Sequence, residues 1–93
     1  MYDAPEIADV VISLNGRDKG KYFVIIGTDD IYSLLADGKG RKLEKPKRKK
    51  NKHFNYDGII GTWLKDKLIS GAKTTNRDLR KALAEYHVTP DKS

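Results

Sequence analysis

The chain contains no cysteine, and this absence removes two classes of structure. Neither a disulfide framework nor a thiolate metal site can form, and a reducing compartment imposes no cost on the chain. Long apolar runs are also missing, since the longest covers only residues 22–26 and is too short to span a bilayer. The acidic first six residues lack the basic region and apolar core of a secretory signal. We therefore expect a cytoplasmic protein that does not associate with membranes.

Residue types that commonly build active sites are scarce as well. The two histidines, His53 and His87, are isolated in the sequence and predict neither a zinc site nor a nucleophile–base pair. Residues 16–21 end in Gly-Lys like a phosphate-binding loop, but three residues separate the glycines where four are needed, and Tyr22 replaces the magnesium-binding Ser or Thr. Ninety-three residues also make a single domain without room for a deep cleft between two lobes. These features predict a binding module that is not an enzyme and uses no cofactor or metal.

Acidic residues are nearly absent from one part of a basic chain. The formal net charge of +6 favours an anionic partner, with nucleic acid ahead of membrane. Residues 39–53, named here the basic segment, contain nine Lys or Arg and one acid, whereas the remainder of the chain carries a formal charge of −2. A solvated loop without a ligand is the alternative interpretation. Against it, His53, Phe54 and Tyr56 supply rings that can stack on bases, although we expect Phe54 to point into the core.

The first part of the chain is rich in β-branched and aromatic residues. Residues 10–14 and 22–26 are two strand-length runs on either side of residues 15–21, named here the hairpin loop. Within that loop Gly20 permits a positive-φ turn or close approach of the backbone to a ligand. The unbroken apolar second run predicts a strand buried on both faces, as in a small closed barrel.

Three further strands are expected before the pattern changes. Residues 31–36 predict the third, and residues 41–45 a short fourth, because Pro46 is confined to a strand end or an edge. Residues 47–52 contain no hydrophobic side chain, so we expect a mobile, extended loop there. The alternation at residues 53–56 predicts the fifth strand.

Helical spacing replaces the strand pattern after Asp57. We expect a first helix with Thr62 as its N-cap, Trp63 as a core anchor and Gly71 as its stop. Its apolar positions are Ile59, Ile60, Trp63, Leu64, Leu68 and Ile69.

A second helix is predicted after Thr75, which with Asp78 resembles a capping box. Its apolar stripe consists of Leu79, Ala82, Leu83 and Tyr86, and residues 88–90 are expected to end it. The predicted fold is therefore mainly β, a small SH3-like barrel of about five antiparallel strands with a C-terminal tail of two short helices. We divide it into a barrel at residues 1–57 and a helical extension at residues 58–93 that packs on the barrel.

The run Gly-Arg-Asp-Lys-Gly-Lys at residues 16–21, with Leu-Leu-Ala-Asp-Gly at residues 34–38, resembles the KOW motif of ribosomal proteins and transcription elongation factors. With its trailing Lys-rich segment, the chain looks most like small bacterial KOW proteins related to a eukaryotic-type large-subunit ribosomal protein. The resemblance covers about residues 7–56. It implies an SH3-like barrel that binds RNA, with Gly20 as the hallmark glycine. Tyr22 and Phe23 depart from the pattern, since many members have another glycine there.

Our leading hypothesis is a monomeric, non-enzymatic RNA-binding protein that contacts phosphates of ribosomal or other structured RNA. The alternative is a protein-interaction module of the transcription or translation machinery, in which charge only tunes solubility. Binding of the basic patch to anionic lipid ranks third. The residues predicted to contact RNA are Arg17, Lys19, Gly20 and Lys21 in the hairpin loop, and Lys39, Arg41, Lys42, Lys45, Lys47, Arg48, Lys49, Lys50, Lys52 and His53 in the basic segment.

Overall fold

The computed structural model describes residues 4–88, which form one antiparallel sheet followed by two helices. A short 3-10 turn, Asn51–His53, joins the last two strands. The mainly β fold with five antiparallel strands and two C-terminal helices is confirmed. The elements are β1 (Asp9–Ser13), β2 (Tyr22–Thr28), β3 (Tyr32–Ala36), β4 (Lys47–Lys50), β5 (Phe54–Ile59), α1 (Thr62–Ser70) and α2 (Asn76–Val88).

The sheet has the order β4-β3-β2-β1-β5, so the last strand returns to pair with the first. Its register shifts between Ile25 and Gly27 in β2 and between Val10 and Val11 in β1. Such irregularities bend strands and increase their twist, which lets a five-stranded sheet curl into a barrel-like shape. The chain then crosses from β4 to β5 through the 3-10 turn.

Two apolar clusters cover the two faces of the sheet. Val11, Phe23, Ile25, Leu35 and Phe54 form one cluster, which is the interior of the curled sheet. The other cluster joins strand residues to both helices, and its buried members are Ala8, Val10, Val24, Ala36, Ile60, Leu64, Leu79, Ala82 and Leu83. In β2 three consecutive residues are buried, as predicted for a strand covered on both faces. The inward positions predicted for Phe23 and Phe54 are also confirmed.

The fourth strand does not lie where the sequence placed it. Residues 41–45 form bends and turns, in which the backbone N–H of Leu43 donates to the Asn76 side chain of α2 at 2.8 Å. Instead, β4 pairs with β3 over a run of four cations, with Lys49 opposite Ser33 and Arg48 opposite Leu34. The prediction of a mobile, extended loop at residues 47–52 is therefore wrong. Backbone hydrogen bonds define a strand whatever its side chains are, and alternation carries most of these charges to the surface.

The first helix begins one residue away from the predicted cap. Gly61 occupies the N-cap position and Thr62 is already helical, so the prediction of a Thr62 cap is wrong. Gly71 ends the helix as predicted, with a left-handed φ of 77°.

Trp63 is not the core anchor that was predicted, because 36% of its surface is exposed. Ile60 and Leu64 fill the space against the sheet, which leaves Trp63 on the outside. There its indole N–H donates to Glu85 of α2 at 2.9 Å, so the ring links the two helices at their surface. Neither described helix is long and apolar enough to cross a membrane.

The second helix matches its prediction closely. The backbone N–H of Asp78 donates to the Thr75 hydroxyl at 3.1 Å, and the backbone N–H of Thr75 donates to the Asp78 carboxylate at 3.0 Å. This reciprocal pair is a capping box. Three stripe residues are buried and Tyr86 packs beside them, its hydroxyl donating to Asp57. The predicted helix end at residues 88–90 lies largely outside the described residues, and the division drawn between residues 57 and 58 falls inside β5.

Candidate nucleic-acid interface

The hairpin loop has a defined shape. Gly16 and Gly20 have φ values of 75° and 84°, in the left-handed region that favours glycine. The backbone N–H of Gly20 donates to the backbone carbonyl of Ser13 at 2.8 Å, and that of Lys21 donates to the backbone carbonyl of Asp18 at 2.9 Å. These two hydrogen bonds close the turn. This hydrogen bonding projects the loop's cations, Arg17, Lys19 and Lys21, which are all exposed.

Asp18, the one acid in the hairpin loop, is buried and ties the loop to the basic segment. Its Oδ2 accepts a hydrogen bond from Arg41 Nη2 at 2.9 Å, and Lys21 Nζ lies 3.8 Å from Oδ1. Burial opposes ionisation of Asp18, but the hydrogen bond and charge of Arg41 outweigh it and lower the pKa. Sequence reasoning missed this role, although an acid enclosed by Arg17 and Lys19 was the available signal.

Lys49 provides a second tie between the same two elements. This side chain is buried, and its ammonium donates to the backbone carbonyl of Asn15 at 3.0 Å. Burial and the charge of Lys47 lower the pKa of Lys49. The sheet therefore places the hairpin loop directly beside β4. Lys49 itself points into the protein, and its ammonium is occupied by the hydrogen bond to Asn15.

The start of the basic segment is held from two sides. Asp37 Oδ1 accepts the backbone N–H groups of Lys39 and Arg41 at 2.9 and 3.0 Å, which closes a tight turn. From α2, Arg80 donates to the Gly38 carbonyl at 2.7 Å. Asn76 Nδ2 also donates to the Glu44 carboxylate at 2.9 and 3.0 Å, which lowers the pKa of Glu44. The second helix thus shapes a basic turn that is distant from it in sequence, and the sequence pattern carried no sign of this.

Tyr22, where the chain departs from the KOW pattern, also contacts α2. Its ring meets that of His87 edge to face, with centroids 4.6 Å apart. A bulky residue at this position therefore belongs to the packing between sheet and helix and does not point into the hairpin loop.

The predicted site residues fall into three groups by exposure. Lys49 is buried, and Arg41, Lys47 and His53 are half-buried. The remaining ten are exposed: Arg17, Lys19, Gly20, Lys21, Lys39, Lys42, Lys45, Arg48, Lys50 and Lys52. Arg41 and Lys49 join the two basic elements, so the hairpin loop lies beside the basic segment.

Replacing the buried acid tests the tie between the two elements. We expect Asp18→Asn to lower the free energy of unfolding by about 1–2 kcal/mol near pH 7, because Arg41 loses its charged acceptor. The folded-state pKa of Asp18 lies below the ordinary value of 3.8. Its stabilising effect is therefore complete above that value and is lost as the pH falls through the folded-state pKa.

Urea denaturation of both proteins from about pH 7 to pH 2 measures this dependence. The difference between them should shrink as the pH drops below 3.8. Asp30→Asn removes the same charge from an exposed residue and should change stability by less than about 0.5 kcal/mol. A difference between wild type and Asp18→Asn that stays constant across the pH range contradicts the prediction.

We also looked for groups of metal ligands and for similar proteins. Within residues 4–88, no group of three His, Cys, Asp or Glu side chains comes close enough together to hold a metal ion. No protein-family model matches the chain, and no curated protein matches it.

Proposed function

We propose that this chain is a non-enzymatic RNA-binding module that contacts phosphates through the hairpin loop and the basic segment. The observation that carries the proposal is the pair of contacts joining these elements, Asp18 to Arg41 and Lys49 to Asn15. They bring together two groups of cations that are separate in sequence. Residues 16–21, which resemble the KOW motif, belong to one of these two groups and support ribosomal or other structured RNA as the partner.

Electrostatics accounts for the affinity that this surface is expected to have. Each lysine or arginine that neutralises a phosphate releases condensed counterions, and this release drives binding. The cations of the hairpin loop stand on a hydrogen-bonded turn and those of residues 47–50 on a strand of the sheet, so little backbone order has to be gained in these two parts on binding. Phosphate contacts of this kind fix the position of the RNA and carry little sequence information.

The salt dependence of binding tests the proposal. If about six to eight phosphates are contacted, the slope of log K against log salt should be roughly −4 to −7. Fluorescence anisotropy with a labelled ribosomal RNA hairpin, at salt concentrations from about 50 to 200 mM, measures this slope. Failure to bind RNA at the low end of that range, or a slope near zero, would refute the proposal.

A protein-interaction module is the second candidate, and exposed apolar side chains outside the basic surface favour it. Ile59 and Ile69 are 50% and 62% exposed, and Trp63 lies between them in sequence. If a tagged chain retains the same protein partner after nuclease treatment and in high salt, protein contact dominates. Loss of all partners under those conditions favours RNA.

A further inference from the structure

The outer face of β3 and β4 carries an aromatic ring and a guanidinium group that lie one on the other. The guanidinium carbon of Arg48 is 3.5 Å from the centroid of the Tyr32 ring. Arg48 is opposite Leu34 and Lys50 is opposite Tyr32, so these four side chains share one face of the sheet. Ser33 and Lys49 alternate with them and are buried on the other face. The pair is therefore part of the protein surface and not of its core.

A shallow depression of about 260 Å³ lies beside this pair. Gly27 of β2 stands next to Leu34 in the register and leaves the space open. A Cβ atom at Gly27 would lie 3.3 Å from Leu34 Cδ1 and would begin to fill the depression. Leu34 is 38% exposed, so the wall that it forms is apolar and accessible.

Charges around the depression distinguish between ligands. Asp29 lines it, and Asp29 Oδ1 accepts the backbone N–H groups of Ile31 and Tyr32 at 2.8 and 2.7 Å. These hydrogen bonds lower the pKa of Asp29, so its carboxylate is ionised at neutral pH and repels a phosphate. A neutral base meets no such repulsion. Lys50 on the same face is exposed and provides a cation for the phosphate next to that base.

We propose that Tyr32 and Arg48 form a stacking site for an unpaired RNA base. The base lies on the face of the Arg48 guanidinium that is turned away from Tyr32, and bases stack well on such planes. Since β4 is at the edge of the sheet, a strand of RNA that crosses this edge reaches the cations of the hairpin loop on the other side. The site rests on the proposed function and specifies the ligand as RNA with an unpaired nucleotide.

Binding of two matched RNAs tests the site. One is a hairpin with 2-aminopurine at an unpaired loop position, and the other is a fully paired duplex of the same length. Arg48→Lys keeps the charge and removes the plane, and Tyr32→Leu keeps an apolar side chain and removes the ring. Stacking of one base contributes enough that each variant should bind the looped RNA about 10-fold more weakly. Affinity for the duplex should stay within about twofold, since phosphate contacts are retained.

Quenching of 2-aminopurine reports stacking directly and should decrease in both variants. Tyr32→Phe retains the ring and should behave like wild type, whereas Lys42→Ala removes a cation from a part of the basic segment that precedes β4 and should weaken both RNAs equally. Equal weakening of both RNAs by Arg48→Lys, or unchanged quenching, would overturn the stacking site. If the wild type binds both RNAs with the expected salt slope and Arg48→Lys changes only the melting temperature, the proposed function stands and this site does not. If the wild type binds neither RNA, both fail.

Discussion

Reversing charge in either basic element is expected to cause the largest loss of RNA affinity. Arg17→Glu with Lys19→Glu alters the hairpin loop, and Lys42→Glu with Lys45→Glu alters the basic segment. Each pair should weaken binding on the order of 10-fold or more, and the four substitutions together at least about 100-fold. The salt slope of the fourfold variant should be about three units shallower, because four phosphate contacts are lost. All four side chains are exposed and form no ion pair with another residue between 4 and 88, so the fold should persist.

Lys65→Glu with Lys81→Glu is the matched control for each pair. It changes the formal charge of the protein by the same amount, but in α1 and α2. It should leave affinity within about threefold, because net charge alone has only a long-range, screened effect. Titrations of a labelled RNA hairpin by anisotropy, with circular dichroism to verify folding, provide the comparison. If one basic element can be reversed without loss of affinity, RNA does not use both.

Gly38→Ala is expected to have the largest effect on stability. Gly38 has a φ of 80°, and an added Cβ would collide with the backbone oxygen of Asn76 and lie 3.0 to 3.1 Å from Arg80 and Leu79. Left-handed strain and overpacking against a helix backbone together cost about 2–4 kcal/mol. For a domain of this size the melting temperature should fall by more than about 8 °C. Thermal denaturation followed by circular dichroism measures the change.

Two other glycines separate the contributions to this effect. Gly20 has a φ of 84° but no heavy atom of the described residues within 4 Å of an added Cβ, so Gly20→Ala should cost only the strain, about 1–2 kcal/mol. Gly40 has an open Cβ position and no positive φ, so Gly40→Ala should change stability by less than about 0.5 kcal/mol. Equal melting temperatures for Gly38→Ala and Gly40→Ala would show that α2 does not pack tightly against the turn at Gly38.

Features that depend on near neighbours were predictable from the sequence. The two strands around the hairpin loop follow from runs of β-branched and aromatic residues, and Gly20 marks a backbone conformation that other residues rarely adopt. The capping box needs only Thr75 and Asp78, three positions apart. Each of these signals lies within a few residues of the structure that it predicts.

The predictions from sequence patterns were wrong where the pairing or packing partner is distant in the sequence. Residues 47–50 have no apolar side chain, and they form β4 because β3 supplies backbone partners for them. Trp63 has a helical spacing that suits the core, but Ile60 and Leu64 occupy the space against the sheet. Neither outcome depends on the intrinsic preference of the residue concerned.

The sequence by itself determined the local strands, the second helix and the segregation of positive charge into residues 39–53. Only the tertiary structure decided that the hairpin loop and the basic segment lie side by side. Asp18 meets Arg41 across 23 positions of sequence and Lys49 meets Asn15 across 34. Contacts of this range depend on the path of the whole chain through the sheet, whereas strand and helix patterns depend on the few residues that form each element. The proposed RNA surface is therefore a product of the fold, assembled from cations that the sequence keeps apart.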